Sequence, residues 1–250
     1  MKSFIVAFAF LSFMQQAMAQ AGQQGPTGVT QDVLAGRISC NDPRILALPM
    51  IKPVAGVAQR DFNFINCVAL RLIKANRIGL PAGFGKSWVF TSYHSDAINS
   101  LTAQLPNGQL VVLAFDSMAR FLNYDPDEEA FIIAHEIGHV QDWTNCQAIK
   151  TQKVNQAPIL KQLALARGQQ ACEENADDYG LQFMWGAGFN PFAAGGLFGR
   201  LEMYLPNDTR GAASILNNFV STHPISSERV KKLRVVVSQL CSRQGTVCRP

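Results

Sequence analysis

Residues 135–139 read His-Glu-Ile-Gly-His, two histidines four positions apart with a glutamate beside the first. No other stretch restricts the possible folds of this chain as tightly. On a helix, positions i and i+4 lie one turn apart on one face, so the rings of His135 and His139 can close on a single metal ion. Glu136 then projects beside them, where its carboxylate can take a proton from a water that the metal polarises. A fold using this arrangement must bury three polar side chains on one helix and bring them partners from elsewhere. From average residue usage, a fixed His-Glu-x-x-His arises by chance in a chain this long less than about one time in a hundred.

The flanking residues predict that helix. Asp125-Pro126-Asp127-Glu128 supplies an N-cap, a proline at the first helical position and acids at the positive end of the helix dipole. Ala130, Phe131, Ile132, Ile133, Ala134, Ile137 and Val140 make the segment apolar on nearly every side, as a central buried helix requires. Gly138 costs some helix propensity but leaves room for another backbone or a substrate to come close.

The chain starts with Met1-Lys2-Ser3, an apolar run from Phe4 to Phe13, and Ala17-Met18-Ala19. This is the pattern of a secretory signal peptide, residues 1–19, cleaved after Ala19. The run is much shorter than the roughly 20 residues that span a bilayer, and no later segment is long and apolar enough to do so. The expectation is export without a membrane anchor, to the periplasm in the first instance and to the exterior as the alternative. A formal net charge of +4 is too mild to indicate a nucleic-acid partner.

All six cysteines, Cys40, Cys67, Cys146, Cys172, Cys241 and Cys248, follow the signal segment. An even count in an oxidising compartment reads as three disulfides, although six cysteines allow 15 pairings. Cys241 with Cys248 would close a short loop, Cys146 with Cys172 would staple the two segments assigned below to the metal site, and Cys40 with Cys67 would remain. Cysteine-ligated zinc is the competing reading, and the chain has no Cys-x-x-Cys pair.

Residues 20–60 form an N-terminal arm with short elements, of which Ala21 to Gly28 is a loose Gly/Gln/Pro stretch. Residues 61–250 make one domain. Within it, 61–76 has helical apolar spacing. Trp88 to Thr91 and Ala97 to Leu105 read as extended, and Pro106-Asn107-Gly108 turns the chain into a partner strand, Gln109 to Phe115. That hairpin is expected to lead directly into the His-Glu-x-x-His helix. Further helices are expected over 157–186, 191–205 and 226–240. The fold class is α+β, mainly helical with a small antiparallel sheet or hairpin beside the His-Glu-x-x-His helix.

Catalytic zinc sites use three protein ligands, so two histidines leave one to find. Glu173-Glu174-Asn175-Ala176-Asp177 on the 157–186 helix is the candidate. Glu173 and Asp177 share a face; Glu173 could ligate the metal while Asp177 accepts the free ring N–H of His135. On their own these acids read as a solvated helix face, and Glu174 and Asp178 are the alternatives if the register differs. Thr222-His223-Pro224 precedes the last helix. His223 could reach the open metal position or donate to the oxyanion of a tetrahedral intermediate; equally, it reads as a loop histidine. His94, the one remaining histidine, stands in no motif.

His-Glu-x-x-His, then Glu173-x-x-Ala176-Asp177, then Thr222-His223-Pro224 with Arg229 downstream resembles the gluzincin metallopeptidases related to the CAAX-prenyl endopeptidase, in particular their soluble, periplasmic quality-control branch. The resemblance runs from about Ala97 to about Leu240 and begins at Ala97-Ile98-Asn99, although Asn99-Ser100 stands where that family usually has Asn-Ala. It implies a zincin-like fold and one Zn2+ held by His135, His139 and Glu173. It further implies Glu136 as base, Asp177 as a support behind the ligands, and His223 and Arg229 lining the site. The activity it implies is metalloendopeptidase cleavage of unfolded or misassembled exported proteins, taken up along an edge strand, Ala97 to Leu105 or Gln109 to Phe115. A chaperone-like assembly factor with restrained protease activity is the alternative.

Overall fold

Local pattern and burial explain each element of the computed structural model, which describes residues 32, 39–43, 56–78, 88–151, 158–204, 223–224 and 227–243. The expected signal peptide, the loose arm and Cys248 lie outside these residues. Helix α1 spans Gln59–Asn76. Strands β1 (Val89–Tyr93), β2 (Ser100–Gln104) and β3 (Leu110–Phe115) follow, then the short helix α2, Asp116–Phe121. Helix α3, Pro126–Gln141, carries the His-Glu-x-x-His sequence. Then come α4 (Trp143–Thr151), α5 (Pro158–Gly186), α6 (Ala193–Tyr204) and α7 (Ser227–Arg243).

The start of α3 is built as its sequence indicates. Asp125 accepts hydrogen bonds from the main-chain N–H groups of Asp127 and Glu128, and Pro126 opens the helix. From there α3 runs through the middle of the molecule, packed against α1, α5, α6, β2 and β3. Phe131, Ile132, Ile133 and Ile137 are buried on it, and the Phe131 ring meets Phe198 of α6 edge-on at 5.6 Å. Each such side chain contributes about 1.5–3 kcal/mol by leaving water.

The expected hairpin of β2 and β3 forms, but the sheet around it is mixed rather than antiparallel. Its order is β1-β3-β2: β2 pairs antiparallel with β3, while β1 pairs parallel with β3 on the other side. The sheet is therefore mixed, and β3 is its central strand rather than an edge. The sequence of β3 agrees with that position, because Leu110-Val111-Val112-Leu113-Ala114-Phe115 is apolar throughout, without the alternation of a strand wet on one side. The chain passes from β1 to β2 across the end of β3. Asp116 and Ser117 hold this crossover: Asp116 accepts from the Ser95 N–H and lies 2.8 Å from His94 Nδ1, and the Ser117 hydroxyl donates to the Ala97 carbonyl. These residues open α2, so the sheet does not feed directly into α3 as expected. The sequence reading also passed over α4, whose short amphipathic stretch follows closely on α3.

Two disulfides join described residues, Cys40–Cys67 and Cys146–Cys172. Cys241 is disulfide-bonded as well; its expected partner, Cys248, lies outside the described residues. No described helix is long and apolar enough to cross a membrane.

One buried acid stands apart from the metal-site motif. Glu129, in the first turn of α3, has no exposed surface, and neither carboxylate oxygen has a hydrogen-bond partner. Burial, reinforced by the charge of Asp61 on α1, pushes its pKa up from 4.5 to about 8. The folded chain therefore keeps a proton that the unfolded chain has already released. The stability this contributes is complete below about pH 4.5 and is lost as the pH rises towards 8. Glu129→Gln should match the wild type at pH 4.5 and exceed it by pH 8 by on the order of a few kcal/mol, read from denaturant unfolding at the two pH values.

Candidate metal centre

The site exists because two helices come unusually close. A β-carbon placed on Gly138 of α3 would lie 2.6 Å from the carbonyl oxygen of Ala176 on α5, and one on Gly180 would lie 3.1 Å from the His135 nitrogen. With no side chain at either point, the α5 backbone lies against α3. Ala176 is flanked on α5 by Glu173 one turn before and Asp177 next in sequence, so the same contact carries both acids to the histidines. The room foreseen at Gly138 is filled by a backbone. Cys146 of α4 is bonded to Cys172, directly before Glu173.

His135 Nε2 stands 3.1 Å from His139 Nε2, 3.3 Å from Glu173 Oε2 and 3.2 Å from His223 Nδ1. Glu173 Oε1 lies 3.3 Å from His139 Nε2, and Oε2 lies 3.1 Å from His223 Nδ1. One ligand atom from each of these four residues falls within 4.8 Å of all the others. In a tetrahedral zinc site with bonds of about 2.0–2.1 Å, neighbouring ligand atoms stand roughly 3.3–3.4 Å apart. The separations about His135 Nε2 lie close to that value, and the four residues are near enough to share one ion.

The proton pattern fits too. Asp177 Oδ1 lies 2.8 Å from His135 Nδ1. With the ring proton donated there, Nε2 of His135 presents a bare lone pair towards two other imidazole nitrogens and a carboxylate. Such a convergence of lone pairs is repulsive unless a cation or shared protons fill it.

Arg229 organises the rear of the site and is 2% exposed. Its Nε and Nη2 donate to the two carboxylate oxygens of Asp177, each at 2.8 Å, and Nη1 donates to the Pro224 carbonyl at 2.7 Å and lies 3.3 Å from Glu173 Oε2. One guanidinium thus fixes the acid behind His135, supports Glu173 and ties down the loop bearing His223. Burial works against ionising Glu173, yet the bonds from His135, His139 and His223 hold its pKa well below the carboxylate range. Asp177 is lowered likewise, burial being outweighed by His135 and Arg229. Both acids stay ionised, the form that ligates or supports a cation. Burial lowers the pKa of His139, whereas against burial the neighbouring carboxylates raise that of His135, through Asp177 and Glu173, and that of His223, through Glu136 and Glu173, to about 10.

Glu136 is fully buried. Burial alone would raise its pKa, but the charges of the nearby histidines, His223 first, bring it down to about 2. Oε2 accepts from the Thr102 hydroxyl of β2 at 2.9 Å. Oε1 lies 3.2 Å from His223 Nε2, off the direction a hydrogen bond needs. His223 Nε2 also stands 3.3 Å from the Ser100 carbonyl of β2.

Every residue singled out from the sequence, His135, Glu136, His139, Glu173, Asp177, His223 and Arg229, therefore meets at this one place. The alternatives Glu174 and Asp178 instead face α7, where both pair with Lys232. His94 is remote from the cluster, on Asp116. Thr102 was not foreseen, since a threonine in a strand carries no motif and its contact depends on how β2 crosses α3.

The family model for Peptidase family M48 matches residues 142–237. The matched span begins just after His139 and contains Glu173, Asp177, His223 and Arg229, so it bears on the half of the site that the His-Glu-x-x-His motif does not reach. Over that span the chain is similar to the M48 metallopeptidases. The protein is a metalloendopeptidase, a hydrolase of peptide bonds, and its His135/His139/Glu173 cluster is of the kind typical of zinc peptidases of the M48 family. No curated protein matches the chain.

The close packing of α3 on α5 gives a direct test. Gly138→Ala should destabilise the protein by about 1–3 kcal/mol through overpacking and weaken zinc retention against a chelator. Gly195→Ala on α6, where a β-carbon meets nothing within 4 Å, should be neutral or stabilising by up to about 1 kcal/mol. Unfolding curves and chelator competition on the two variants read both outcomes.

Proposed function

We propose a zinc endopeptidase of exported proteins in which His135, His139 and Glu173 hold one Zn2+ and Glu136 is the general base. The single observation carrying this reading is the fully buried Glu136 beside a cluster of metal-ligating atoms from His135, His139, Glu173 and His223. A purely structural metal site has no use for an ionised carboxylate next to its ligands. When bound, zinc supplies Lewis-acid polarisation of a water and of the scissile carbonyl. Glu136 removes the proton from the attacking water, whose oxygen bonds to the peptide carbon. Glu136 then delivers that proton to the leaving amine as the C–N bond breaks. Asp177 keeps the proton of His135 on Nδ1, and Arg229 holds Asp177 in place for it.

The substrate reading is an extended polypeptide added to the edge of β2 that no described strand covers, since β3 is paired on both sides. Recognition through main-chain hydrogen bonds suits unfolded or misassembled chains of many sequences. The disulfides among the described residues support an oxidising compartment, the periplasm in our reading.

A specific observation favours a restrained form of the same enzyme, the chaperone-like alternative. His223 Nδ1 stands where the fourth tetrahedral ligand would be, while Nε2 lies against Glu136 and the β2 carbonyl. In this position the ring covers the place of the water, the base and part of the edge strand together.

Casein hydrolysis by zinc-loaded protein tests both parts. Glu136→Gln should lose on the order of 10²–10⁴-fold in rate at equal zinc content, and a variant as active as the wild type ends the enzymatic mechanism. His223→Ala should raise the rate; a fall would assign the histidine to catalysis instead. Arg229→Lys keeps the charge but loses the two-pronged grip on Asp177, and should weaken zinc binding by about 10–100-fold in chelator competition.

A further inference from the structure

A general base has to be held as well as ionised. Glu136 sits on a buried helix whose neighbours Ile132, Ile133, Ile137 and Val140 offer no polar side chain. The contact that anchors its carboxylate comes from the sheet. Thr102 Oγ1 lies 2.9 Å from Glu136 Oε2 and 2.7 Å from the main-chain oxygen of the same residue. A hydroxyl has one hydrogen, so it is shared between two acceptors belonging to Glu136 and bridges the backbone and the tip of that side chain. The other carboxylate oxygen, Oε1, is the one facing His223 and the ligand cluster.

We propose that Thr102 is the positioning residue of the base: its hydroxyl anchors Oε2 so that Oε1 stays turned towards the reacting water. The inference rests on the metallopeptidase mechanism above and adds a residue to it. It also gives β2 a second task. Residues 100 and 102 lie on the same side of that strand in period-two alternation. The carbonyl of Ser100 meets His223, and the hydroxyl of Thr102 meets Glu136. A polypeptide pairing with β2 would thus act on a strand that touches both the occluding ring and the base.

The test uses the full zinc-loaded chain, with and without His223→Ala, cleaving an internally quenched extended peptide. Thr102→Val keeps the shape and removes the hydroxyl. It should lower kcat by roughly 10- to 100-fold, the range for losing a hydrogen bond to a charged group, with KM changed less than about twofold and zinc content and thermal midpoint retained. Thr102→Ser should bring kcat back to within about threefold of wild type. Unchanged kcat in Thr102→Val, or a serine variant as slow as the valine one, overturns the proposal. If Thr102→Val lowers the thermal midpoint, the double variant with Glu136→Gln decides. An effect on kcat that vanishes in that background acts through the base, whereas one that persists is structural and overturns the inference. Glu136→Gln alone separates this inference from the mechanism beneath it. Inactivity there with full turnover in Thr102→Val removes only the role of Thr102, while full turnover in Glu136→Gln removes the mechanism itself.

Discussion

The approach of α5 to α3 is the constraint from which the rest of the molecule follows. The two helices meet at Gly138 and Gly180, and the main chain around Ala176 occupies the volume a side chain at 138 would take. Interiors packed to crystal-like density transmit displacements instead of absorbing them. The position of Glu173 relative to His135 and His139 is therefore a property of this backbone contact. The Cys146–Cys172 bond fastens the same stretch from outside, and Arg229 fastens it from behind.

Arg229 is the costliest group in the arrangement. A guanidinium with 2% of its surface exposed loses its hydration, and only well-made partners offset that loss. It has them: two oxygens of Asp177, the carbonyl of Pro224 and a carboxylate oxygen of Glu173. Because one planar cation serves a ligand, the acid behind another ligand, and the loop of His223, α7 is coupled to the metal centre. A buried ion pair of this kind adds little to stability against an apolar replacement; its use here is geometric.

Opposite Arg229, the sheet completes the site. β2 is an edge strand, and it presents the Ser100 carbonyl and the Thr102 hydroxyl to His223 and Glu136. The central position of β3 makes this possible. With β1 covering its far side, β3 is a buried apolar strand, and among the described strands β2 is the one that is both at an edge and in contact with the base.

How far the sequence alone reached can be stated residue by residue. His135, Glu136 and His139 were legible because helix periodicity fixes their relation within five residues, and Asp125 and Pro126 because capping is local chemistry. Glu173 and Asp177 were legible by their four-residue spacing once a third ligand was required, and the 29-residue α5 bore out the helix expected there. The parallel pairing of β1, the central place of β3, the short helix α2, the unpartnered Glu129 and the grip of Thr102 on Glu136 were not legible. Each depends on contacts between segments far apart in the chain, and no local periodicity records which strand lies beside which. Sequence determined what chemistry the site could hold. Tertiary structure decided which oxygen faces which nitrogen, because that follows from two helix axes brought together at a glycine and a strand laid across them.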